Sequence, residues 1–378
     1  MSKDAVCISK TASPLPQKHN YGIDILRILS MLMICTLHIL NQGGVLTACE
    51  SDPVRFAVVN FLNIALFCCV NCYALISGYV GLNAKHRYSN LLLLWLEVVL
   101  YNVIVVSVFY FAMPGSVTKA EISEALLPVT CSSSRWYFRA YFLLFFLMPL
   151  LNFAVKKLPR RRLAYLTVFL LALCAALTLA NNMLSWGFSL INSTLMLAVF
   201  YLMGAYFKEY GCFPKVKSRY FLMCFAASTV TVWLIGTAAS MMPDAPRLLS
   251  VIADKLVGYL SPAVILNSVC LFVLFVRIEN VRCKRLLKTA GSLTFGVYII
   301  HTAPLLFNLV LKDAFSGFAR LHPAVMLFAV ILTSAAVYTV CSLIEYLRQR
   351  LFGVLKIKET LQSTENRIRE KLAERTQS

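Results

Sequence analysis

The chain has 378 residues, 59% of them apolar and only 14% charged, and its 36 Lys and Arg outweigh 17 Asp and Glu for a formal net charge of +19. A soluble domain carries about one quarter charged residues, so this composition excludes one and indicates a polytopic membrane protein. The positive balance does not indicate a nucleic-acid partner, because the basic residues fall in short clusters between apolar runs and form no single patch with interleaved aromatics.

The opening stretch "MSKDAVCISKTASPLPQKHN" is polar and lacks an apolar run followed by a small-residue cleavage site, so no removed signal peptide is expected. Runs near the roughly 20 residues needed to cross a bilayer then follow at 23–42, 56–80, 90–113, 136–155, 163–181, 186–207, 220–242, 259–278, 290–311 and 323–352. The expected fold is therefore all-α, a polytopic bundle of about ten transmembrane helices. Residues 1–22 form an N-terminal tail, 23–353 the membrane domain and 354–378 a C-terminal tail. With the N-terminus in the cytoplasm, 27 of the 36 Lys and Arg fall on the cytoplasmic side. The positive-inside rule then predicts two cytoplasmic termini and a multi-pass protein of the cell membrane. After Lys356, apolar Ile357, Leu361, Ile368 and Leu372 recur at roughly helical spacing among mixed charges, as in a short amphipathic surface helix or a frayed tail.

Most of the 13 cysteines lie inside apolar runs, where a thiol packs as a small hydrophobe. No pair has zinc-site spacing, and no metal or permanently bound cofactor is expected. Cys49 and Cys131 are the two cysteines of the expected outer loops; a disulfide in an oxidising compartment and coincidence both stand.

The first span, "YGIDILRILSMLMICTLHIL", holds Asp24, Arg27 and His38 in an otherwise apolar run. Eleven residues separate Arg27 from His38, almost three helical turns, so they share a face and stand roughly 16 Å apart along the axis. Asp24, three residues before Arg27, is within pairing reach. One reading has Arg27 snorkelling to the interface with Asp24 as counterion and His38 bonding across helices. The other takes the cost of burying such groups, on the order of 3 kcal/mol each, as the mark of a site or pathway. Glu97 inside the third span and His301 inside the ninth are possible partners. His301 matches His38 in depth, and each of the two also reads as an ordinary paired polar group.

These residues also carry a resemblance. The stretch "IDILRILSMLMICTLHI", with Arg27 and His38 eleven apart, resembles the opening of the integral-membrane acyltransferase-3 family. "ALISGYVG" closing the second span, "SSSRWYFRAYFLLFFLMPLLN" at the fourth and "GSLTFGVYIIH" at the ninth agree with it in order and spacing. The resemblance implies a ten-helix domain that moves an acyl group, usually acetyl, from cytoplasmic acyl-coenzyme A to a hydroxyl of a cell-envelope glycan or related acceptor. It further implies His38 as the catalytic residue and Arg27 as a partner that handles the donor. The family's pair of arginines three apart after the second span is replaced here by Lys85 and Arg87, two apart, which still suit a phosphate-rich donor such as acetyl-CoA. Arg135, Trp136, Tyr137 and Arg139 match the aromatic start of the fourth span, where an acceptor sugar would stack on the rings; an interfacial aromatic belt is the other reading. Glu97 or His301 would orient His38 or complete an acid/base pair. A transporter or flippase using the polar stripe as a pathway, and an accessory scaffold, are the competing functions.

Overall fold

The computed structural model describes residues 19–130, 135–184, 189–242, 246, 251, 253 and 255–377, and every regular element among them is helical. In chain order these are α1 (Tyr21–Leu40), the short α2 (Val45–Ala48), α3 (Pro53–Leu66), α4 (Cys69–Gly81), α5 (Tyr88–Ala112), α6 (Lys119–Leu126) and α7 (Trp136–Lys157). There follow α8 (Arg160–Leu184), α9 (Ser189–Tyr210), α10 (Ser218–Met241), α11 (Pro262–Val276), α12 (Lys284–His301), α13 (Pro323–Val354) and α14 (Ile357–Gln377). The expected run 56–80 covers two helices, α3 and α4, the run 290–311 extends beyond α12, and each of the other eight overlaps a single helix. Among the described residues eight spans are long and apolar enough to cross a bilayer, with α3 and α4 forming one of them, Pro53–Gly81. A multi-pass membrane protein follows, because in hydrocarbon a helix satisfies its backbone groups within its own segment.

Two of the ten runs depart from a straight crossing. α11 is only 15 residues long. The run expected at 290–311 breaks: α12 ends at His301 and the chain bends by 73° into the segment Leu306–Arg320. Pro304 explains the break, since it has no N–H to donate and disfavours helical geometry in the residue before it. The freed carbonyls do not go unpaired. Arg135, fully buried at 0% exposure, donates from Nη2 to the Ile299 carbonyl at 3.1 Å and from Nε to the Thr302 carbonyl at 3.2 Å.

α1 is the axle of the bundle, packed by α4, α11, α12 and α13. It is 67% buried along its apolar window, against 17% for the α8 span and 11% for α10, which lie on the periphery. Its start is fixed by Asn20, whose Oδ1 accepts from the Ile23 amide and whose Nδ2 donates to the Val276 carbonyl at 2.8 Å. α4 and α9 approach closely through two glycines: a Cβ on Gly78 would meet the Tyr201 backbone, and one on Gly204 the Leu75 backbone. Small residues are what allow helix backbones to come this near in a membrane. Gly78→Val is therefore expected to overpack this seam and lower stability by about 1–3 kcal/mol or more, read as a lower midpoint of thermal unfolding in detergent.

Beyond α13, Lys356 adopts a left-handed backbone with φ 52° and turns the chain into α14. The C-terminal tail is thus helical, and it docks on the start of α5 instead of fraying. Glu365 accepts from the Ser89 hydroxyl at 2.6 Å and from the Tyr88 and Ser89 amides at 3.2 Å. Partial burial would raise the Glu365 carboxyl, but the Ser89 hydrogen bonds and Arg369 prevail and hold it down at about 2. Its ionisation therefore adds stability above the ordinary carboxyl value of about 4.5, and that contribution is lost only as pH falls towards 2.

Candidate functional site

The last turn of α1 and the last turn of α12 bring His38 and His301 together, with Nδ1 of His38 2.9 Å from Nε2 of His301. The other nitrogen of His301, Nδ1, lies 2.6 Å from the Val297 carbonyl one turn back. A carbonyl can only accept, so with both rings neutral His301 carries its proton on Nδ1 and presents a bare Nε2. His38 must then carry its proton on Nδ1 to donate to it. The remaining nitrogen, Nε2 of His38, is left unprotonated. The chain carbonyl–His301–His38 therefore fixes the tautomer of a ring that is otherwise symmetric in its choices.

His38 lines a small aromatic chamber together with Tyr73, Trp136, Tyr137, Tyr259, Phe295 and Tyr298. On the side where α1 begins lies a larger vestibule lined by Arg27, Lys85 and Arg87, with no carboxylate among its described lining residues. Arg27 is held by Asp24 at 3.2 Å, and Asp24 is itself held by His19 at 2.5 Å. Tyr141 lines the vestibule and Tyr137, one turn earlier on α7, lines the chamber; their rings stack with centroids 6.2 Å apart. Tyr73 adds a second link, donating from its hydroxyl to the Arg27 carbonyl at 2.9 Å.

On the side where α7 begins, a wider recess is lined by Asn192, Ser193, Lys255 and Ser261 and shares Trp136 and Tyr259 with the chamber. The Trp136 and Tyr259 rings stand 5.5 Å apart and form the partition between the two spaces. The Asn71 amide donates to the Tyr259 carbonyl at 2.8 Å and steadies that wall.

The remaining expected site residues lie elsewhere. Glu97 makes no contact with His38. It sits in a buried cluster with Arg348 at 3.4 Å, and Arg348 in turn bonds Glu345 at 2.5 Å while Tyr101 donates to Glu345 at 2.7 Å. Orienting His38 therefore falls to His301, and Glu97 belongs to the seam of α5 with α13. Arg135 does not face the chamber as a sugar contact: its three guanidinium nitrogens reach the Ile299 and Thr302 carbonyls and, at 2.6 Å, Asn102 Oδ1. Buried and fully engaged, it braces the end of the helix that carries His301. Arg139 donates to the Val129 carbonyl at 3.0 Å and ties α7 to the preceding loop. Trp136 and Tyr137 do line the chamber.

Sequence reasoning passed over Tyr73, Tyr259 and Tyr298, which nothing distinguishes from other membrane aromatics. Glu345 carried a signal that was available, an acid in an apolar run three residues before an arginine. Among the described residues no three His, Cys, Asp or Glu side chains come together as a metal site. Cys49 is buried with its thiol 3.6 Å from Met326 Sδ, and Cys131 lies outside the described residues.

No curated protein and no solved structure matches the chain. The acyltransferase-3 family, described as an acyltransferase domain, matches residues 20–344, which run from the cap of α1 into α13 and include every residue of the chamber. The protein is a multi-pass membrane acyltransferase and belongs to the acyltransferase-3 family.

Proposed function

We propose that the protein transfers an acyl group, acetyl in the simplest case, from acyl-coenzyme A to a hydroxyl of a cell-envelope glycan across the cell membrane. The observation that carries the reading is the placement of His38 Nε2, a base of fixed tautomer in a chamber between a cationic vestibule and a wider recess on the other side. On this reading the vestibule opens to the cytoplasm, which the positive-inside charge distribution supports. There Arg27, Lys85 and Arg87 receive the donor's phosphates, and the thin pantetheine arm runs past Tyr141 and Tyr137 to the chamber. The acceptor enters from the opposite recess and stacks against Trp136 and Tyr259.

A thioester needs little activation, whereas a sugar hydroxyl is a poor nucleophile at neutral pH. His38 Nε2 removes the hydroxyl proton as the oxygen attacks the thioester carbonyl. The C–O bond forms, the C–S bond breaks, and the Nε2 proton passes to the departing thiolate. During the step His38 is an imidazolium whose Nδ1–H bond to His301 strengthens, because a charged donor makes the stronger hydrogen bond.

The test is release of free thiol from acetyl-coenzyme A by purified protein in nanodiscs with crude envelope glycan as acceptor, together with binding of a labelled coenzyme A analogue. Acceptor-dependent release accompanied by acetylated glycan is the expected outcome. Binding without thioester cleavage would instead support a carrier, and absence of both would overturn the donor assignment.

A further inference from the structure

The loop between α4 and α5 supplies two of the three vestibule cations, and its backbone is gripped from outside the domain that the family match covers. It is held by α14, outside the matched residues 20–344. Arg369 donates from Nη2 to the His86 carbonyl at 3.2 Å and pairs with Glu365 at 2.5 Å, while Glu365 takes the Ser89 hydroxyl and the amides of Tyr88 and Ser89. Two residues of one helix thus fix the backbone on both sides of Arg87. On the inner side the His86 ring stacks on Phe145, centroids 4.0 Å apart, and both line the vestibule. Its Nε2 is buried with no hydrogen-bond partner. A buried polar atom without a partner is costly, and here it lies in the compartment where a phosphate-bearing ligand would supply one.

We propose that α14 is a clasp for the donor site: Glu365 and Arg369 hold Lys85, His86 and Arg87 in the arrangement that receives a nucleotide-bearing acyl thioester, with His86 Nε2 as a further contact to its anionic groups. Glu365 and Arg369 are positioning residues, since they act through the loop and touch no donor atom. The proposal rests on the assignment of the vestibule to the acyl donor. It requires the free energy of ordering the loop to appear in donor binding and not in the chemical step.

The experiment compares wild type, Glu365→Ala and Arg369→Ala. Acetyl-coenzyme A KM, kcat at saturating donor, and hydrogen exchange at the Tyr88 and Ser89 amides are measured for each. Donor KM is expected to rise about tenfold in both variants, the equivalent of one lost charge-assisted hydrogen bond, with kcat within about twofold of wild type and both amides exchanging faster. His86→Phe, which keeps the ring stack on Phe145, is expected to raise KM without changing exchange. Unchanged KM in the two tail variants beside an active wild type overturns the clasp alone. A KM that falls overturns it by making α14 an obstruction. No coenzyme A binding by wild type overturns the clasp together with the donor assignment.

Discussion

His38→Ala is expected to lower acyl transfer by about 100- to 10,000-fold, the usual worth of a positioned general base, while leaving donor binding near the wild-type level. The substitution removes Nε2, the one ring nitrogen of the His38–His301 pair that the hydrogen-bond chain from Val297 does not engage. It touches none of the vestibule cations. The companion substitutions at His301 separate tautomer control from packing. His301→Leu leaves the Nδ1–H of His38 without an acceptor, and the charged form that develops in the transition state loses a hydrogen bond worth about 1.5–3 kcal/mol, or roughly 10- to 100-fold in kcat. His301→Gln offers an amide oxygen near the position of Nε2 and should retain most of the activity. Single-turnover thiol release reads all three, and equal losses for the leucine and glutamine variants would refute tautomer control.

Arg135→Ala is expected to cost more stability than any other single change in the site. It strips the partners from the Ile299 and Thr302 carbonyls at the point where Pro304 has already ended α12, and from Asn102 Oδ1 as well. Each orphaned bond to a charged group is worth about 1.5–3 kcal/mol, so a loss of at least about 3 kcal/mol is anticipated, read as the unfolding midpoint in detergent. Arg135→Lys keeps the charge but not the planar fork, and it should recover only part of that loss. Because the same carbonyls belong to the turn carrying His301, activity in the lysine variant should fall further than its stability. A lysine variant with wild-type kcat would show that Arg135 supports folding alone.

What the sequence made legible, and what it did not, divides along a physical line. Depth in the membrane could be read, because rise per residue in a helix is fixed. That is how Arg27 and His38 were placed on one face and His301 at the level of His38. Sideways partners could not be read, because nothing local says which of several helices a polar residue faces. Glu97 accordingly stood with His301 as one of two possible partners of His38 and also as an ordinary paired acid, and it pairs with Arg348; Arg135 stood as an acceptor contact or part of an interfacial belt, and it braces α12. The helix break at His301 was within reach, since Pro304 stands three residues on, but unbroken apolarity from 290 to 311 hid it. The docking of α14 lay beyond reach, as the residues Glu365 meets are 276 positions away in sequence.

The aromatic partition of Trp136 and Tyr259 has an electrical consequence. In the proposed reaction the donor never crosses that wall; the formal acylium moves outward past His38, and the hydroxyl proton returns by the same nitrogen to the thiolate. One positive equivalent leaves as one arrives. The proposed exchange is electroneutral, so transmembrane voltage would do no work on turnover.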